Sequence, residues 1–149
     1  MEISREPLAS DFRQQLIDLV YPIIGRMHYV HKELGPGLRE YIYQEALMKV
    51  LSREISPDTM KEYICNPEFE GENLESFVKM DIVVPIEQCN VIIECKSIKQ
   101  ITDMEQFQTF GYLRSSGFPI AILVNFGTWP KAQIERYYYD TKKKIIHAF

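Results

Sequence analysis

An α/β protein, a mixed sheet flanked by helices, is what this sequence predicts, and three observations predict it. Two segments near the N-terminus carry apolar residues at helical spacing, three strand-like runs fill the middle, and a third helical segment precedes a short apolar strand. In chain order this reads α-α-β-β-β-α-β, with a less defined end. At 149 residues the chain is expected to form a single domain, residues 1–149, with one substantial core.

The first helix is expected over Ser10 to Leu34, where Phe12, Leu16, Val20, Ile23, Met27, Val30 and Leu34 recur at three- and four-residue intervals. Pro22 lies inside it and predicts a kink or break near Tyr21. Gly35-Pro36-Gly37 is a stop signal. A second helix is expected from about Leu38 to Arg53, with Leu38, Tyr43, Ala46, Leu47, Val50 and Leu51 supplying apolar contacts. Strands are expected over Lys61–Phe69, Leu74–Pro85 and Val91–Ser97, the first two joined as a hairpin at Gly71-Glu72-Asn73. Thr102 to Ser115 reads as a helix ended by Ser116-Gly117, and Pro119 to Asn125 as a buried strand. Ile134–Tyr139 and Lys144–Phe149 are candidates to pair as edge strands around Asp140-Thr141.

Bulk properties narrow the class. The N-terminus lacks the basic flank and apolar core of a signal peptide, and no apolar run is long enough to span a membrane. Three cysteines, at 65, 89 and 95, form no CxxC pair and no closed disulfide framework, so a reduced, cytoplasmic protein is expected. The net charge of −4 disfavours a tight, non-specific nucleic-acid binder. It disfavours a hydrolase less, because a metal site contributes carboxylates of its own and two divalent cations would neutralise that charge.

The chemically unusual residues cluster in the central strands. Side chains alternate along a strand, so Ile92, Glu94 and Lys96 share one face, and Val91, Ile93 and Cys95 the other. An acid and a base in an otherwise apolar strand cost desolvation energy unless paired or bound. Asp81 is a second acid in the preceding apolar run. Asp81 and Glu94 on neighbouring strands, with the Cys95 carbonyl, could supply oxygen ligands to a Mg²⁺-type ion, and Lys96 could orient a water or stabilise developing charge. A plain Glu–Lys pair on a solvent-facing sheet explains a bare ExK tripeptide equally simply, and alone the pattern is weakly specific. Glu40 lies at the end of the second helix's buried stripe, where a carboxylate either caps the helix or points into a site. Position alone does not separate the two.

Other candidates have simpler explanations. His28 and His31 stand one helical turn apart, but no HExxH or nearby cysteine completes a zinc set, so they are expected to be surface or packing residues. Tyr137, Tyr138 and Tyr139 could stack on bases but suit an edge strand. Lys142 to Lys144 could touch phosphate or form a solvated turn.

The segment Glu33-Leu34-Gly35-Pro36-Gly37-Leu38-Arg39-Glu40-Tyr41-Ile42-Tyr43-Gln44-Glu45-Ala46-Leu47 resembles the signature of the GxxExxY family, at Gly37, Glu40 and Tyr43. That family belongs to the PD-(D/E)xK nuclease-like superfamily. The resemblance continues through Asp81 to Val84, Ile93 to Lys96, Gln108 to Arg114, Leu123 to Gly127 and Arg136, covering about residues 20–137. It implies a restriction-endonuclease-like core with Asp81, Glu94 and Lys96 as the D…ExK set and Glu40 as an additional acid. Gln108 and Tyr112 resemble the QxxxY motif of helicase-associated exonucleases, and at i and i+4 both would face the substrate or Lys96. Met80 stands where the superfamily's name has proline.

The expected function is a Mg²⁺- or Mn²⁺-dependent nuclease acting on DNA or RNA. The alternative is a catalytically inactive module of the same fold that binds nucleic acid or a protein partner. No membrane partner is expected, and a homodimer could supply binding surface that one chain lacks.

Overall fold

The computed structural model of the protein describes residues 2–149. Leu16, Val20, Ile23, Met27 and Val30 form the buried stripe of α1 (Ser10–Leu34). Of the expected kink or break at Pro22, the break is absent: the helix is continuous through it. The ring sits on the exposed side, while the buried residues before and after it hold both turns against the sheet. Gly35, at φ 68°, ends the helix and returns its N–H to the His31 carbonyl at 2.8 Å. The second helix, α2 (Glu40–Glu54), starts later than expected, which leaves Leu38 exposed in the preceding loop.

An N-terminal strand absent from the sequence reading, β1 (Glu2–Ser4), lies at one edge of the sheet. The first predicted hairpin is divided into β2 (Met60–Cys65), the small ribbon β3 (Glu68–Phe69) and β4 (Glu72–Asn73), and β5 (Val78–Pro85). Glu70 and Gly71 both have positive φ, the type I′ geometry that lets a two-residue turn close the ribbon. Then come β6 (Asn90–Lys96), α3 (Asp103–Ser116), β7 (Ile120–Asn125), β8 (Gln133–Asp140) and β9 (Ile145–Ala148). Thr102 and Glu105 cap α3 reciprocally, and Gly117 ends it in the left-handed conformation.

The seven-stranded sheet has the order β1-β9-β8-β7-β6-β5-β2. Pairs β1/β9 and β6/β7 are parallel, the others antiparallel. Strand β8 is therefore interior, not an edge, and Tyr137 and Tyr139 are core residues beside Phe110 and Leu113. Helices α1 and α2 cover one face, against Val91, Ile93, Cys95, Ile120, Ile122 and Val124. Helix α3 covers the other, against Ile92, Ala121 and Leu123. Strand β7 is buried on both faces, which is why its sequence is continuously apolar. No helix among the described residues is long and apolar enough to cross a membrane.

Two loops meet at the C-terminal ends of the parallel pair β6/β7. Asn125 is fully buried; its Oδ1 accepts from the N–H groups of Ile98 and Gly127, both at 3.0 Å, and its Nδ2 donates to the Ile98 carbonyl at 3.0 Å. A side chain at Gly127 would put its Cβ 2.3 Å from the Ile98 oxygen. Because the obstacle is backbone, Gly127→Ala is expected to destabilise the fold by about 1–3 kcal/mol. Urea denaturation checks this; a loss below about 0.5 kcal/mol would mean the two loops separate freely.

Candidate active site

The regular alternation of β5 fails at Asp81. Met80 packs on the α3 side, whereas Ile82, two residues on, packs on the α1/α2 side. The β2/β5 ladder passes from Lys61↔Ile82 to Tyr63↔Met80 without a Glu62/Asp81 rung, and Glu62 takes a φ of 53°. The β5/β6 ladder ends at Ile82↔Ile93. Beyond that pair the strands part, and the Cys95 N–H donates to Asp81 Oδ2 at 2.9 Å. A side chain thus replaces a strand carbonyl as acceptor, which brings the Asp81 carboxylate beside Glu94.

Glu94 is the most confined acid of the site, at 3% exposure. Burial pushes its carboxyl well above the ordinary range; the charge of Asp81 and a hydrogen bond with it push the same way, Lys96 opposes, and Glu40 adds a little. Lys96 Nζ lies 3.9 Å from Glu94 Oε1, while Glu94 Oε2 is buried with no hydrogen-bond partner among the described residues. Lys96 Nζ also donates to Gln108 Oε1 at 2.8 Å, so α3 fixes the ammonium from above the sheet. Tyr112, one turn further along α3, is buried; burial first, then Glu94, Asp81 and Glu40, raises its phenol.

Glu40 is the first residue of α2 and half-buried. Burial raises its carboxyl, Lys96 lowers it, Asp81 raises it again and the Ser97 amide lowers it. Glu40 begins the helix, no side chain makes a cap hydrogen bond there, and the charges of Lys96 and Asp81 reach it. The loop that delivers it is held by Tyr43, fully buried, whose hydroxyl donates to the Gly35 carbonyl at 2.5 Å and accepts from the Leu38 N–H at 3.1 Å. Its ring stacks on Phe126, with centroids 4.6 Å apart. Ser97 Oγ donates to the Leu38 carbonyl at 2.7 Å, joining this loop to the end of β6. Sequence reading treated Tyr43 as an apolar contact and missed these bonds; the pointer was its fixed spacing after Gly37 and Glu40.

Asp81, Glu94, Lys96, Gln108, Tyr112 and Glu40 thus gather at one end of the sheet. The Cys95 side chain does not join them: it is buried in the α1/α2 core, and only its backbone faces the strand partners. Among the described residues, no three His, Cys, Asp or Glu side chains are grouped to hold a metal ion. What exists is a pair of carboxylates with one unpartnered oxygen, an all-oxygen donor set that suits a hard divalent cation completed by water and substrate. The histidines are outside it: His31 Nε2 donates to the Thr128 carbonyl at 2.7 Å, a packing role. Lys142 and Lys143 give their N–H groups to Asp140 in a surface turn.

Residues 17–137 match the family model described as the PD-(D/E)XK nuclease superfamily. No curated protein matches the sequence. The solved structure described as "Crystal structure of SSO0001" is similar in fold, with a TM-score of 0.50 and 19% identity, over 65% of this chain and 48% of that one. The chain therefore spans about half the length of that structure.

Two outcomes follow from the packing. Tyr43→Phe strands one donor and one acceptor in the loop before α2 and is expected to lower stability by about 1 kcal/mol or more, measured by denaturation; an unchanged midpoint would show the loop holds without the hydroxyl. For Glu94 the sign is fixed by its raised folded pKa. Its contribution is complete below the unfolded value of about 4.3 and is lost as pH rises towards the folded one. Glu94→Gln removes that loss, so in EDTA the variant's Tm should gain on wild type as pH is raised from about 6 to about 9. A constant difference across that range would show that Glu94 is already ionised.

Proposed function

The chain belongs to the PD-(D/E)XK nuclease superfamily, and we propose that it is a divalent-metal-dependent nuclease of the GxxExxY type, cleaving phosphodiester bonds in DNA or RNA. The observation that carries this reading is the pair of buried Glu94 and half-buried Asp81, with an unpartnered Glu94 oxygen, set beside a lysine whose ammonium is held in place. Asp81, Glu94 and the Cys95 carbonyl would hold Mg²⁺ or Mn²⁺. When bound, such an ion supplies a more acidic water and offsets charge on the phosphate.

The chain's own groups do the rest. Glu94 would hold the ion in its ionised form, and the energy of burying its charge would be offset by the cation rather than by Lys96 alone. Lys96, anchored by Gln108, can turn its remaining N–H groups towards an attacking water or a phosphoryl oxygen. Burial and the nearby carboxylates favour the protonated form of Tyr112, leaving its hydroxyl available to donate to substrate. Glu40, at the head of α2, would add a third carboxylate that helps retain the cation. A buried acid pair with a positioned lysine is destabilising without a ligand, which favours an enzyme over an idle interaction module of the same fold.

Cleavage of single- and double-stranded DNA and RNA in Mn²⁺ is expected for wild type, with Lys96→Ala reduced at least about a hundredfold and unchanged in Tm by more than a few degrees. Full activity in Lys96→Ala would remove the lysine from the mechanism. Asp81→Asn is expected to weaken Mn²⁺ binding in a calorimetric titration; an unchanged affinity would remove Asp81 from the ligand set.

A further inference from the structure

Gly127 begins a loop that carries Trp129, the chain's single tryptophan, out to 78% exposure. A large rigid aromatic left this bare is unusual unless it meets a partner. The loop is not loose. Asn125 ties its start to Ile98, the Thr128 carbonyl accepts from His31 of α1, and Thr128 Oγ1 donates to the Lys131 carbonyl at 2.6 Å. Beside the indole opens a cavity of about 440 Å³ lined also by His28, Lys32, Pro36 and Lys131. Among the described residues no carboxylate lines it, although the chain as a whole is acidic. That volume falls in the range of small-ligand sites, roughly 300–1,000 Å³.

The cavity's position relates it to the site already described. Trp129 follows β7, whose C-terminal end lies beside that of β6, and Phe126 N–H donates to the Lys96 carbonyl at 2.8 Å. Pro36, on its rim, belongs to the loop that Tyr43 holds and that leads into Glu40. The aromatic platform and the acid pair thus stand at the same end of the sheet, bridged by the Gly35-to-Leu38 loop.

We propose that Trp129, with Lys32, Lys131 and His28, is a subsite for one unpaired nucleotide of a single-stranded nucleic acid, its base stacked on the indole and its phosphate between the two lysines. This rests on the nuclease reading and gives it a substrate class: single strands, overhangs or frayed ends rather than intact duplex. An indole offers a π-face that any base can stack on, but only where the base is unstacked from its neighbours. Two lysines supply the sequence-independent phosphate attraction that the acidic remainder of the chain does not.

Because Trp129 is the sole tryptophan, its emission reports this subsite alone. Full-length protein in EDTA, where no cleavage interferes, would be titrated with oligo(dT), oligo(U) and a blunt DNA duplex at low salt. Both single strands are expected to quench the emission and the duplex to leave it unchanged. By anisotropy of labelled oligo(dT), Trp129→Ala should bind about tenfold or more weakly, with Trp129→Phe recovering part of the loss. The double variant Lys32→Gln/Lys131→Gln should lower the salt slope of log K by about 1.4. Labelled oligo(dT) binding with the emission unmoved would overturn the subsite. So would emission unmoved because nothing binds, which would leave Trp129 to a protein partner. Metal-dependent cleavage without quenching removes the subsite and keeps the nuclease; quenching without cleavage in Mn²⁺ does the reverse.

Discussion

A carboxyl group removed from water as thoroughly as Glu94 constrains everything around it. Left charged and alone it would be ruinous, so it must hold a proton, share one, or meet a cation. Burial, then the charge of Asp81, holds its carboxyl well above the ordinary range, Lys96 stands 3.9 Å away, and the second oxygen of Glu94 points at no donor among the described residues. Burial favours the protonated form of Glu94, and a cation bound there would compete with that proton. Satisfying Glu94 with a neutral amide would give a steadier protein and a poorer metal site, the usual exchange between stability and a preorganised centre.

The surrounding structure keeps that arrangement from relaxing. If β5 and β6 stayed paired for one more residue, Cys95 N–H would find a backbone acceptor and Asp81 would be carried to one face or the other. Instead the β5/β6 ladder stops at Ile82↔Ile93, and at the missing Glu62/Asp81 rung β2 and β5 both change faces while β6 keeps its alternation. Two further devices fix the loops that meet there. Tyr43 binds the turn before α2, and Asn125 binds the loops after β6 and β7. Phe126 links them, since its ring stacks on Tyr43 and its N–H bonds the Lys96 carbonyl. The acids, the lysine and the helix start are thereby referenced to one rigid patch of backbone.

Much of this was legible in the residues, for identifiable reasons. The stripe of α1 and the continuous apolar run of β7 are determined by burial, which periodicity reads directly. Asp81, Glu94 and Lys96 stood out because charged groups in apolar strands need an explanation. Other features depend on tertiary context. The strand Glu2–Ser4 is too short and polar to be read as one and exists because β9 offers an edge. The C-terminal tyrosines read as edge residues because nothing local reveals that their strand pairs with β7 and that β1 extends the sheet past β9. The lost rung at Asp81 leaves no trace in composition, and a tyrosine whose ring is buried while its hydroxyl ties a loop looks, in sequence, like any aromatic in a core.

Charge is the remaining tension, since an acidic chain is expected to approach a polyanion. Net charge governs long-range attraction, screened beyond about 10 Å at moderate salt, whereas binding is decided by what the phosphates touch. Glu40, Asp81 and Glu94 lie close together at one end of the sheet, where a bound cation would offset their charge. Lys32 and Lys131 face outward from a cavity lined by no acid among the described residues. In the proposed reading the two signs would act in sequence along a strand, the basic aromatic pocket on one nucleotide and the acid pair on another. An affinity built on so few cations would be weak, which would suit release of a cleaved product.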